Sequence, residues 1–198
     1  MLFGELAIPS DDLVQTLCRR VRERVNSYPQ NPPASIWTAI VAQVLHEIGD
    51  NLHYDVYCKH VDKCHEWLLD AIWWRKESDE AQTGIALAVE CEWDYRDLMW
   101  DFQKLLCIKA PVKLFIYDGG NVLEHGNTVV RSLGMSVQAQ IEGEMGRYPY
   151  HVEGETYLFV SFGNTGEYAQ RFVVPSNGRI DAVELEPVPL AHIAAARV

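Results

Sequence analysis

The stretch Gly84-Ile85-Ala86-Leu87-Ala88-Val89-Glu90-Cys91-Glu92-Trp93 decides how this chain folds. From Ile85 to Val89 it is continuously apolar, as suits a strand buried on both faces. Two carboxylates then interrupt it. Along a strand, residues two apart leave the same face, so Glu90 and Glu92 point one way while Val89, Cys91 and Trp93 point the other. Upstream, His65-Glu-Trp-Leu-Leu-Asp-Ala-Ile-Trp-Trp-Arg75 reads as a second extended run. The polar stretch Lys76-Glu-Ser-Asp-Glu-Ala-Gln-Thr-Gly84 between the two is expected to be a loop, which makes the runs an antiparallel pair. If they pair about Glu80 without a bulge, Asp70 falls opposite Glu90.

Working outward, Tyr54, Val56 and Cys58 alternate along an earlier strand. Before it, two amphipathic helices are predicted. Leu13, Leu17, Val21 and Val25 line the first, over about 10–26, behind Ser10 as N-cap. Ile36, Ile40, Val44 and Ile48 line the second, which begins at Ser35, and the prolines of Tyr28-Pro-Gln-Asn-Pro-Pro-Ala-Ser35 separate the two. Arg19, Arg20, Arg22 and Arg24 share the polar side of the first helix, a solvated face that could alternatively meet phosphates. After Trp93, the residues Tyr95, Met99, Phe102 and Leu106 line a further helix that Pro111 stops, with Cys18 and Cys107 as small core residues on helical faces. Val112 to Tyr117 is a short apolar strand, the Asp118-Gly-Gly-Asn121 stretch a turn, and Leu123 to Glu142 a helix. Strands follow over Glu155–Phe162, Tyr168–Val174 and Arg179–Glu186. This order predicts a single mixed α/β domain over 1–198, built on one main sheet.

Composition narrows the function classes. Hydrophobic residues make up 48% of the chain, enough for a packed core, and no apolar run reaches the roughly 18 to 20 residues of a membrane span. The first residues, Met1-Leu-Phe-Gly-Glu5, carry no basic segment followed by an apolar one, so a cytoplasmic address is expected. Five cysteines, an odd number, read as reduced thiols. A formal net charge of −11 argues against a protein whose whole surface clings to nucleic acid and leaves room only for a local basic patch. Cys58, His60, Cys64 and His65 lie close together, but their spacing departs from that of zinc knuckles, and they read as strand and turn residues. The tryptophans around Trp67, Trp73, Trp74, Trp93 and Trp100 read chiefly as core, although aromatic faces also stack on unpaired bases. Oligomeric state does not follow from the sequence.

Ionised carboxylates on a buried strand need protons, basic side chains or a cation. Asp70, Glu90 and Glu92, with the main-chain carbonyl of Cys91 beside them, form an all-oxygen set suited to Mg²⁺ or Mn²⁺ rather than zinc. On the following helix Asp97, Asp101 and Lys104 fall on one stripe, from which Lys104 could face the acids.

Taken together, a helix, strands bearing Asp70 and Glu90-Cys91-Glu92, the Asp101-Phe-Gln-Lys-Leu-Leu106 helix and the Val112–Tyr117 strand resemble the PD-(D/E)xK nuclease superfamily, also called restriction endonuclease-like. The resemblance covers about residues 35–118. It implies an α-β-β-β-α-β core with a mixed central sheet, to which the N-terminal helix and a C-terminal helix and strands over about 123–186 are additions. It also implies hydrolysis of nucleic acid, DNA in the first place, with Mg²⁺ (or Mn²⁺) at two acids and a lysine. Asp70 matches the first acid, Glu90 the second, and Glu92 stands where lysine is usual. Some members carry glutamate there, and in others the lysine has moved to the following helix, where Lys104 would serve. Catalytic roles are thereby expected of Asp70, Glu90, Glu92 and Lys104, and metal ligation of Asp70, Glu90 and Cys91. Glu47 resembles an acid that some members add from the preceding helix. The alternatives are a nuclease-like domain that has lost catalysis and acts as a protein-interaction or regulatory module, and an unrelated fold whose acids are salt-bridged.

Overall fold

The computed structural model describes residues 6–61, 68–78, 81–94, 96–119, 128–163, 166–180 and 182–190. Four helices, α1 (Ser10–Val25), α2 (Ala34–Asn51), α3 (Leu98–Cys107) and α4 (Thr128–Arg147), pack on one seven-stranded mixed sheet. The strands are β1 (Asp55–Cys58), β2 (Ala71–Ser78), β3 (Ala81–Glu92), β4 (Val112–Asp118), β5 (Thr156–Gly163), β6 (Gly166–Val173) and β7 (Glu186–Pro187), and they lie side by side in chain order. β1 to β3 form an antiparallel meander, β3, β4 and β5 are parallel, and β5 to β7 are antiparallel again. Parallel neighbours need a crossover, and α3 and α4 supply the two. No described helix is long and apolar enough to cross a membrane.

The helices divide between the two faces of the sheet. Leu13, Leu17 and Val21 of α1 and Val41, Val44 and Ile48 of α2 pack with Trp73, Val89 and Cys91. Phe102 and Leu105 of α3 and Val137, Ile141 and Met145 of α4 pack on the other side with Ile72, Ala88, Phe115 and Phe159. The middle of the sheet is thus covered twice, and Leu87, Ala88 and Val89 of β3 are all 0% exposed. A continuous apolar run is what such a strand requires.

Several local expectations are corrected. Pro9, not Ser10, holds the N-cap position of α1; no side chain caps the helix, and Asp11 and Asp12 in its first turn complement the dipole instead. The polar stretch after Arg75 is largely strand, because β2 runs to Ser78 and β3 starts at Ala81, while Asp70 sits in a bend just ahead of β2. The last strand is two residues long rather than spanning Arg179–Glu186. Cys107 is exposed rather than a core residue. Helix α4 continues to Arg147, beyond Glu142. The expectations for Cys64, His65, Trp67 and Tyr95, and for the start of the helix at Leu123, lie outside the described residues.

Two packing features carry consequences. Gly49 lets α2 lie close on the sheet: a Cβ there would stand 2.5 Å from Val56 Cγ2 and 2.9 Å from the Trp73 ring. On the α3–α4 face Lys113 is 1% exposed, its ammonium 3.1 Å from Glu155 Oε2 and donating to the Tyr157 hydroxyl at 2.9 Å. That hydroxyl donates to Glu155 Oε2 at 3.2 Å, and His151 Nδ1 lies 3.2 Å from it. Burial lowers the Lys113 pKa, and the Glu155 charge opposes the shift.

The Gly49→Ala variant is expected to lose about 1–3 kcal/mol of stability in urea unfolding, since the clash is with packed core atoms. Lys113→Met strands the buried Glu155 carboxylate and is expected to cost about 3–5 kcal/mol, most of it recovered when Glu155→Leu is added.

Candidate active site

Side chains collect where β3 ends beneath α3. The β2–β3 ladder runs Trp73↔Leu87, Ile72↔Ala88 and Ala71↔Val89, so the next pair outward is Asp70 with Glu90. Register shifts do occur between Trp73 and Trp74, Arg75 and Lys76, and Lys76 and Ser78, on the hairpin side of these pairs. The hairpin is therefore not free of bulges, the condition on which the expected pairing of Asp70 with Glu90 rested, yet the last ladder pair beside the acids, Ala71↔Val89, keeps the register expected about Glu80. Asp70 Oδ2 accepts the Cys91 N–H at 3.0 Å, which ties the bend before β2 to the end of β3. Lys59 stands at the edge, 4.0 Å from Asp70 Oδ1.

Glu90 is 1% exposed, and strand alternation sends its side chain to the α3 side. From α3, Lys104 places its ammonium 2.6 Å from Glu90 Oε1 and 2.8 Å from Asp101 Oδ1, and donates to the Leu68 carbonyl at 3.2 Å. The stripe on α3 therefore delivers Lys104 as expected. It also brings in Asp101, which the sequence placed on the same stripe without giving it a role; the i,i+3 spacing to Lys104 was the available signal. Glu92 accepts the Asp94 N–H and lies against Asp101. Asp70, Glu90, Glu92 and Lys104 are thus brought together. The Cys91 thiol is turned to the other face, where burial holds it in the neutral form.

The electrostatics follow from carboxyl groups crowded near the Lys104 ammonium, which pairs with two of them, Glu90 and Asp101. Burial, and next the Asp70 charge, push the Glu90 carboxyl up to about 9, with Lys104 pulling the other way. Burial also lifts Glu92, opposed by the Asp94 N–H and reinforced by Asp101. Burial works against the Lys104 charge, but Asp101 and Glu90 outweigh it and raise its pKa. Burial thus holds Glu90, at 1% exposure, toward its neutral form.

Glu47 lies elsewhere. It sits on α2, across the sheet from Glu90, and accepts Arg24 Nη2 at 2.6 Å with Arg20 Nη1 at 3.8 Å. The other arginines of α1 are also paired, Arg19 with Glu23 and Arg22 with Glu167.

Among the described residues, no three His, Cys, Asp or Glu side chains already stand in metal-holding geometry. The donor chemistry nevertheless fits a hard divalent cation. Asp70, Glu90, Glu92 and Asp101 offer carboxylate oxygens, and Glu90 Oε2, fully buried, has no hydrogen-bond partner among the described residues. No family model and no curated protein sequence matches this chain.

The Glu90 shift sets a pH dependence. A carboxyl raised in the folded state favours folding while protonated, so its contribution is full below the ordinary carboxylate pKa and is lost as pH rises toward about 9. Urea unfolding of the wild type is expected to lose about 2 kcal/mol between roughly pH 6 and pH 8 relative to Glu90→Gln, which cannot ionise. Parallel curves for the two proteins would show that Glu90 does not hold the proton.

Proposed function

We propose that this protein is a metal-dependent phosphodiester hydrolase acting on nucleic acid, built on a restriction endonuclease-like core over about residues 35–118. The observation that carries the reading is the Lys104 ammonium, 2.6 Å from Glu90, on the helix that follows the acids. It supplies the lysine that the strand lacks at Glu92. The element order α2-β1-β2-β3-α3-β4 supports the same reading.

Asp70, Glu90 and the Cys91 carbonyl would hold Mg²⁺ or Mn²⁺, which when bound lowers the pKa of a water and offsets phosphate charge. The remaining work falls to the chain's own groups. Lys104, steadied by Asp101 and the Leu68 carbonyl, offers a positive charge to a phosphate oxygen and stabilises the charge that builds there. Glu92, with its pKa raised and its carboxyl only partly buried, can exchange a proton with water beside Glu90.

One observation favours a second reading, a catalytically inactive domain serving as a protein-interaction or regulatory module. Each arginine of α1, the basic set nearest to a phosphate-binding face in the sequence, is paired with a carboxylate of the chain.

Calorimetric titration with Mg²⁺ and Mn²⁺ is expected to show binding by the wild type and none by Asp70→Ala, Glu90→Ala. Added single-stranded or duplex DNA is expected to be cleaved only with metal, and Lys104→Ala to bind metal yet cleave about 100-fold more slowly. Metal binding without cleavage supports the regulatory reading, and no binding at millimolar metal overturns the metal site.

A further inference from the structure

Trp100 is the one tryptophan that stands exposed among the described residues, at 71%, and so departs from the expectation that the tryptophans are chiefly core. Trp37 and Trp73 are buried, and Trp74 and Trp93 are partly covered. At the carboxyl ends of β3, β4 and β5 the α2 side of the sheet leaves a cavity of about 180 Å³, but the aromatic faces around it are already occupied by one another. The ring centroids of Trp37, Trp93 and Phe162 lie 5.4, 5.5 and 6.4 Å apart. Trp100 is placed differently. It belongs to neither apolar cluster, and no hydrogen bond or ring contact engages its indole among the described residues.

The exposed indole stands at the acid cluster. Leu98, Phe102, Leu105 and Leu106 are the buried side of α3, and Trp100 and Lys104 lie off that side, four residues apart. Side chains at this spacing are neighbours, with Cβ atoms about 5–6 Å apart. From the chain just ahead of β2, Leu68 is exposed at 66%, and its carbonyl accepts the Lys104 ammonium at 3.2 Å. Two of the three most exposed large apolar side chains among the described residues therefore flank one cation, although they come from different elements.

The chemistry of the neighbourhood selects the occupant. A nucleic acid strand with a phosphate oxygen at Lys104 has its next base within reach of the indole, since a helical turn is about 5.4 Å and successive phosphates of a stacked strand are about 3.4 Å apart. In a duplex that base is paired and stacked, and its faces are closed to a side chain. In a single strand they are open, and a base on an aromatic ring is a favourable contact that needs no charge. Charge is what the surface lacks for the purpose, because the net charge is −11 and the arginines of α1 are paired. A peptide helix would need a longer apolar groove than one indole and one leucine supply.

We propose that Trp100 is the stacking platform for one unpaired base, that of a nucleotide adjoining the phosphate at Lys104, with Leu68 adding apolar surface beside the same ammonium. Every base has a π-face, so the contact selects single-stranded or locally opened nucleic acid over duplex without reading sequence. Trp100 touches no reacting atom in this role and determines which strands are held. The inference deepens the proposed function and rests on it for the phosphate at Lys104.

The test uses the full chain with Mg²⁺ and a short single-stranded thymidine oligonucleotide carrying iodouracil, which cross-links to a stacked aromatic side chain on irradiation. Trypsin cuts after Arg96 and Lys104, so the expected adduct on Trp100 appears in the peptide Asp97–Lys104. Binding is followed in parallel by fluorescence anisotropy, extrapolated to the moment of mixing, for the wild type, Trp100→Ala and Trp100→Phe. The probes are the single strand, an abasic strand of equal charge, and the duplex. Trp100→Ala is expected to bind the single strand about tenfold more weakly, and Trp100→Phe within about threefold of the wild type. On the abasic strand and the duplex the three proteins are expected to agree within about twofold. Adducts found only on other residues, no binding of the single strand, or a Trp100→Ala loss as large on the abasic strand overturns the proposal. So does self-association of the wild type that Trp100→Ala abolishes, which gives the indole to a second copy. Neither readout measures cleavage: a Trp100 adduct with base-dependent binding and no hydrolysis supports the platform and overturns the hydrolase reading, whereas hydrolysis indifferent to Trp100 does the reverse.

Discussion

Everything near the acids depends on β3 being covered on both faces. Helices α1 and α2 close one side and α3 and α4 the other, so Glu90, at 1% exposure, cannot reach water as it could on a half-solvated sheet. The surroundings of Glu90 are set in three ways, not all of them favourable to its charge. The β2 register brings Asp70 alongside and spends one of its oxygens on the Cys91 N–H. The parallel crossover brings α3 back over the end of β3, and that helix carries Lys104 at the right turn. Burial and the Asp70 charge, opposed by Lys104, push Glu90 toward its neutral form. Removing Lys104 would leave Glu90 and Asp101 without their cation, whereas removing Asp70 would relieve a repulsion on Glu90.

This arrangement was largely legible from local periodicity. Two acids at i and i+2 in an apolar strand must share a face, and a lysine three residues beyond an aspartate on a helix must share its stripe, whatever the tertiary context. The limits were equally physical. Lys76 to Ser78 and Ala81 to Gly84 are largely polar yet lie in the paired strands, because a backbone ladder does not require apolar side chains, so polarity there does not mark a loop. Val-Lys-Leu-Phe-Ile-Tyr reads as an apolar strand that gives Lys113 no role; its partner Glu155 lies 42 residues away, and no local pattern reports such a pairing. The cavity beside Trp93 was also out of reach, since it exists only once α2 and the ends of three strands are adjacent.

The two sides of the sheet have divided their labour. On the α3–α4 side lie the Lys104 cluster at one end and the buried Lys113, Glu155, Tyr157 and His151 network toward the start of β4 and β5. On the α1–α2 side the aromatic cavity shares the sheet edge with the acids but not their face. A single residue step along β3, from Glu92 to Trp93, passes from one chemistry to the other.

The pairing of the α1 arginines reaches beyond the fold. Proteins that meet polyanions with unpaired basic side chains release condensed counterions, and salt weakens them steeply. In this chain Arg19, Arg20, Arg22 and Arg24 are already engaged by Glu23, Glu47 and Glu167, and the surface as a whole is acidic. A polyanion approaches it against a repulsive field, which added electrolyte screens. Encounter therefore quickens as ionic strength rises, the reverse of the usual sign, and selectivity falls to short-range contacts formed after the two surfaces have met.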